Sequence, residues 1–159
     1  MGQQADAASN LDARGLSIAL LVSRYNEAVC EGLLNGALKE LQALGQVDVP
    51  IWRVPGAFEL PLLAQELAKT EKWDAIVCLG AVIRGETDHY DFVCSGVTNG
   101  LMEVMLKTGV PVGFGILTTD NDHQALARAA EDEHNKGKEA ARTVVEMARY
   151  LRKIHGKSA

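Results

Sequence analysis

Cysteine is scarce and carries no pattern. Cys30, Cys78 and Cys94 are the three present, an odd number with no C-x-x-C spacing. That leaves no disulfide framework to read, and the apolar settings of two of them suit reduced core thiols in a cytoplasmic protein. Basic clusters are missing as well. Lys and Arg number 16 against 21 Asp and Glu, for a net charge of −5, so the electrostatic footprint of a nucleic-acid binder is absent. No apolar run approaches the length of a membrane span. The first ten residues are polar and lack the apolar stretch of a signal peptide. Asp6 stands where a myristoylation signal beginning at Gly2 carries Ser or Thr. These absences set the expectation of a soluble, cytoplasmic protein with no membrane and no nucleic-acid partner. No internal repeat, linker or low-complexity segment divides the chain.

What is present is an ordinary globular composition, 47% hydrophobic and 23% charged over 159 residues. A chain of that size forms one domain and buries roughly 70% of its unfolded surface. Residues 1–13 read as a flexible tail, free or lying along a neighbouring subunit, and 14–159 as the single domain. Apolar runs at 16–22, 47–54, 74–83 and 112–117 predict strands, the second marked as an edge by Pro50. Between them the apolar positions fall at helical spacing. Val29, Leu33, Ala37, Leu41 and Leu44 follow a candidate N-cap at Asn26, and Pro61 opens a second helix. A third helix is expected after Asp91, closed by Gly109 and Pro111, and its small residues Cys94, Ser95, Gly96 and Gly100 suggest close contact at an oligomer interface. Asn121 with Gln124 resembles a capping box for a short helix, and a final helix starts near Lys138. Strand alternating with helix four times predicts a three-layer α/β fold of flavodoxin-like type: a four-stranded parallel sheet, right-handed crossovers and helices on both faces.

Ligands of such sheets bind at the carboxyl ends of the strands. The most suggestive of these ends is Gly80 to Asp91, G-A-V-I-R-G-E-T-D-H-Y-D. A buried strand there runs straight into a polar loop carrying Glu86, Thr87 and His89. Gly85 lets the backbone approach a ligand, and loop N–H groups beside the Thr87 hydroxyl suit an anion such as phosphate. His89 is either a solvated loop histidine or a general acid/base. No second His or Cys stands at ligand spacing, so no metal is expected. Tyr25, after the first strand, either packs or stacks on a flat ring. Ala57, Phe58 and Glu59 sit at a helix start, where Glu59 either favours the helix dipole or holds ligand hydroxyls. Phe114 on the last strand and Arg128 just beyond complete the set. Aromatics with a carboxylate describe a pocket for a planar hydroxylated molecule, and an arginine with loop amides describes a phosphate site.

The motifs go further. R-Y-N at 24–26, V-P-G-A-F-E-L-P at 54–61, G-A-V-I-R-G-E-T-D-H-Y at 80–90, F-G-I-L-T-T at 114–119 and N-K-G at 135–137 closely resemble the lumazine synthase family, from about residue 16 to 151. The resemblance implies condensation of 5-amino-6-(D-ribitylamino)uracil with 3,4-dihydroxy-2-butanone 4-phosphate, without metal or organic cofactor. It implies that Tyr25 stacks on the pyrimidine, where the family more often has Phe or Trp. Ala57, Phe58 and Glu59 would hold that substrate, and Ala81, Val82 and Ile83 would offer it backbone hydrogen bonds. Glu86, through its N–H, and Thr87 would bind the phosphate, and His89 would relay protons. Phe114 and Arg128 would come from the adjacent subunit, with Lys136 a further candidate beside them. It therefore implies a homo-oligomer built on pentamers, with sites between subunits. The stretch 129–135, A-A-E-D-E-H-N, departs from the glycines and lysine of many shell-forming members, and its acidity points to free pentamers. Two other readings are a lumazine- or flavin-binding scaffold without turnover and an unrelated phosphate-binding protein. The His89, Thr87 and Arg128 set argues against the first, and the matched motifs against the second.

Overall fold

The computed structural model describes residues 10–157. The chain runs β1 (Ile18–Ser23), α1 (Glu27–Ala43), β2 (Ile51–Val54), a 3-10 turn (Ala57–Glu59), α2 (Leu60–Lys69), β3 (Ala75–Ile83), α3 (His89–Thr108), β4 (Val112–Thr119), α4 (Asp122–Ala129) and α5 (Lys136–Ile154). The sheet has four strands in the order β2-β1-β3-β4, every pair parallel. It is the three-layer flavodoxin-like arrangement that the alternation predicts. The two central strands are the aliphatic runs with no polar break, and alternate side chains go to opposite cores. Leu20, Val22, Val77 and Leu79 pack under α1 and α5, while Ala19, Leu21, Ile76 and Cys78 pack under α2 and α3.

Helix contact is set by missing side chains at one place above all. A Cβ on Gly137, in the first turn of α5, would stand 2.0 Å from the Leu33 carbonyl oxygen of α1. The two backbones touch, and only glycine permits that. Just before it, Asn135 is buried and caps α5, its Oδ1 accepting from the Lys138 N–H at 3.0 Å. Its Nδ2 donates to the carbonyls of Gly32, Ala129 and Ala130. One side chain thus joins α1, the end of α4 and the start of α5.

Several local expectations are corrected. Asn26 occupies the position before α1 but caps nothing: its backbone is left-handed, φ 60° and ψ 53°, and its side chain goes elsewhere. Asn121 does accept from the Gln124 N–H at 2.9 Å, but the Gln124 side chain returns to the Asp120 N–H, not to Asn121. α3 starts at His89, before the expected point, so His89 is a helical residue. Gly96 and Gly100 of α3 seat the rings of Phe58 and Pro61 of the same chain, each 2.8 Å from an added Cβ. Of the expected tail, residues 1–9 lie outside the described residues. Ala13 is fully buried, with its N–H donating to the Leu44 carbonyl at 2.8 Å. Arg149 Nε donates to the Asp12 carbonyl at 2.7 Å, so the packed chain begins before residue 14. Among the described residues no helix is long and apolar enough to cross a membrane.

Candidate active site at the carboxyl ends of the strands

The strand order reverses between β1 and β3, and such a reversal opens a crevice at the carboxyl edge of the sheet. Here it is widened by unequal strand lengths. The last residue of β3 paired with β1 is Leu79, while β4 pairs with β3 as far as Ile83. Ala81 to Ile83 therefore run past the end of β1. Asn26 closes the upper part of that gap, its Nδ2 donating to the Ala81 carbonyl at 2.9 Å. The Arg24 and Tyr25 N–H groups both donate to the Pro55 carbonyl at 3.0 Å. One turn is thus tied to the strands on either side of it.

A cavity of about 530 Å³ fills this crevice. Tyr25 and Asn26 enter it from β1, and Ala57, Phe58 and Glu59 from the 3-10 turn. Ala81, Val82 and Ile83 come from the end of β3, and His89, Phe92 and Val93 from the first turns of α3. Eight of these residues are those expected from the sequence. Phe92 and Val93 are additional, on the His89 face of α3 at helical spacing, and Asn26, expected as a cap, lines the cavity instead. Both exposed aromatic walls rest on glycines. The Tyr25 ring lies on Gly56 and the Phe58 ring on Gly96. Glu59 has the bland role and room for another. Its Oε2 accepts from the Gly56 N–H at 2.8 Å, closing the 3-10 turn, while the residue still lines the cavity.

The anion candidates lie apart from that cavity. Glu86 and Thr87 are in the exposed loop between β3 and α3, where the His89 N–H approaches Thr87 Oγ1 at 3.4 Å. A Cβ on Gly85 would meet nothing within 4 Å. Phe114 projects from the edge strand β4 and is 46% exposed. Arg128, on α4, donates from Nη1 to its own helix at the Gln124 carbonyl, 3.0 Å. Lys136 pairs with Glu139 at 2.5 Å. None of these lines the cavity of its own chain. Beneath the Tyr25 carbonyl, burial raises the Cys30 thiol, which donates to that carbonyl at 3.2 Å and serves as a neutral strut. Among the described residues no group of three or more His, Cys, Asp or Glu is gathered to hold a metal ion.

Comparison with known proteins points one way. A family model described as 6,7-dimethyl-8-ribityllumazine synthase matches residues 15–152. A protein of that name from Salinibacter ruber (strain DSM 13855 / M31) is 51% identical over 144 residues, covering 89% of this chain and 92% of its own. Another of the same name, from Syntrophus aciditrophicus (strain SB), is 47% identical over 146 residues, covering 91% and 95%.

Proposed function

The chain belongs to the 6,7-dimethyl-8-ribityllumazine synthase family, and from that premise we propose that the cavity between β1 and β3 is the pyrimidine half of an active site completed by a second subunit. The enzyme is a transferase. It condenses 5-amino-6-(D-ribitylamino)uracil with 3,4-dihydroxy-2-butanone 4-phosphate to 6,7-dimethyl-8-ribityllumazine, the penultimate step of riboflavin biosynthesis. The substrate amine attacks the ketone, loss of water gives a Schiff base, phosphate leaves, and the ring closes with loss of a second water.

The observation that carries the site assignment is the convergence of the β1 turn, the 3-10 turn, the β3 end and the start of α3 on one cavity. Tyr25 stacks on the pyrimidine, a role supported by an exposed ring held from behind by Gly56. Ala57 and Phe58 line the same cavity, and Glu59 binds ribityl hydroxyls. Ala81, Val82 and Ile83, on the part of β3 that continues past its pairing with β1, hydrogen-bond the ring through backbone groups. His89 relays protons; it is the one imidazole on the cavity wall and histidine is suited to this near neutral pH. The Glu86 N–H and Thr87 bind the phosphate. Arg128 neutralises it and Phe114 closes the ring pocket, both in the neighbour's site, which fits their exposure away from the cavity of their own chain. Holding two substrates in register supplies much of the acceleration, for which orientation contributes about 7–11 kcal/mol. The assembly is a pentamer, and the acidic joint after α4 favours free pentamers over a shell.

The test is to mix the purified chain with both substrates and follow lumazine fluorescence. Product that needs both substrates is expected. A folded, oligomeric chain that forms none would contradict the proposal.

A further inference from the structure

Between β3 and α3 the loop 85–88 makes few bonds of its own, yet both of its ends are fastened by one residue. Arg84 follows β3 directly, and its N–H donates to the Thr119 carbonyl at the end of β4, 2.8 Å away. Its Nε donates to Asp120 Oδ1 at 3.2 Å, in the turn that leads to α4. Nη1 and Nη2 approach the Asp91 carboxylate at 3.4 and 3.5 Å, in the first turn of α3. The guanidinium carbon lies 4.1 Å above the centroid of the Tyr90 ring. The plate therefore uses its edge for two carboxylates and its face for an aromatic ring, which only a planar cation does.

Stability does not explain this arrangement. Arg84 is 44% exposed, Asp91 57% and Asp120 67% by side chain, and ion pairs so wet contribute little. What the arrangement does fix is distance. It links the strand before the loop, the helix after it and the turn before the Arg128 helix.

We infer that Arg84 is a positioning residue that holds loop 85–88 and His89 in register with each other and with the β4–α4 turn. This rests on the proposed function, in which that loop binds phosphate and His89 moves protons. Because Arg128 serves the neighbouring site, the same clamp also fixes the spacing between two sites of the assembly. Without it the loop amides lose their convergence on the phosphate, while the β1, β3 and 3-10 walls of the pyrimidine pocket stay in place and only its α3 side is loosened.

The experiment compares Arg84→Met, Arg84→Lys and Asp120→Asn with the unsubstituted enzyme. It reads kcat, the KM of each substrate, Tm and elution volume. In Arg84→Met the KM of the phosphate substrate is expected to rise, and kcat to fall, by about tenfold to a hundredfold. The KM of the pyrimidine stays within about twofold, with elution unchanged. Arg84→Lys keeps the charge but not the plate, so it is expected to restore little, and Asp120→Asn to move the phosphate KM the same way by less. Equal rises in both KM values together with a fall in Tm would reduce Arg84 to a structural role, and an unchanged phosphate KM would overturn the inference outright, as would full rescue by lysine. If the unsubstituted chain forms no lumazine, the proposed function fails and takes the inference with it. An active parent with an indifferent Arg84→Met variant removes the inference alone.

Discussion

The ring of Tyr25 lies directly on Gly56. A Cβ at that glycine would stand 2.7 Å from Cδ2 and 2.9 Å from Cε2 of the tyrosine, and 3.2 Å from Glu59 Oε2. Gly56 has φ −129° and ψ 177°, a conformation open to any residue, so the glycine is there for space. It lets the ring lie back against the 3-10 turn and lets the Glu59 carboxylate close that turn.

Gly56→Ala accordingly pushes the ring into the cavity and disturbs the carboxylate. The KM of the pyrimidine substrate is expected to rise by about tenfold, equivalent to about 1.4 kcal/mol, with the KM of the phosphate substrate unchanged. Steady-state kinetics varying each substrate in turn decides this. An unchanged pyrimidine KM would mean that Tyr25 is not a stacking partner.

Gly137→Ala tests the α1–α5 contact. The added methyl meets the Leu33 carbonyl at 2.0 Å, and since that is backbone, no rotamer change relieves it. Overpacking of this kind costs about 1–3 kcal/mol, against about 1 kcal/mol gained in helix propensity. Tm is expected to fall by several degrees in a thermal melt. A Tm equal to the parent's would show that the helices separate freely.

Burial alone holds the Cys78 thiol far above its ordinary range. An unfolded thiol ionises near about 8.5, so above that pH the unfolded chain releases a proton that the native chain keeps. This contribution to stability is complete below that pH and is lost as pH rises, at up to about 1.4 kcal/mol per pH unit. Between pH 8 and pH 10 the Tm of Cys78→Ala should therefore fall by less than the parent's, whatever its starting value. Parallel falls would contradict this.

His89→Ala is expected to slow turnover by about 10²–10⁴-fold while leaving the pyrimidine Kd near that of the parent. Arg128→Ala should chiefly weaken the phosphate substrate, by about tenfold to a hundredfold for the loss of charge-assisted hydrogen bonds. Kinetics and direct titration with the pyrimidine check both. An unchanged kcat removes His89 from the mechanism, and equal losses for both substrates remove Arg128 from the phosphate clamp.

The central strands were legible because β1 and β3 are nearly unbroken aliphatic runs, the composition of a strand buried on both faces. The cavity walls were legible where a motif and a strand end coincide, as at Ala57–Glu59 and Ala81–Ile83. What failed was whatever depends on partners distant in sequence. Asn26 has the composition of a cap, but its amide finds the Ala81 carbonyl, a contact made only when β1 and β3 lie side by side. Gly96 and Gly100 read as surface for another subunit because nothing local says that Phe58 and Pro61 land on them. Arg84 passed as a polar loop residue, since Thr119 and Asp120, two of its four partners, reach it only around the finished end of β4. The start of α3 was placed late because Thr87 and Asp88 look like loop, although Asp88 is the residue before the first helical turn.

The central claim is that each site takes its pyrimidine wall and His89 from one subunit and its Arg128 from the next. The most direct measurement mixes His89→Ala with Arg128→Ala chains in equal amounts, unfolds and refolds them together, and assays lumazine formation. Random assembly places an intact His89 beside an intact Arg128 in about a quarter of the sites, so activity should recover to about a quarter of the parent's. Activity no greater than the mean of the two variants assayed separately would contradict the shared site.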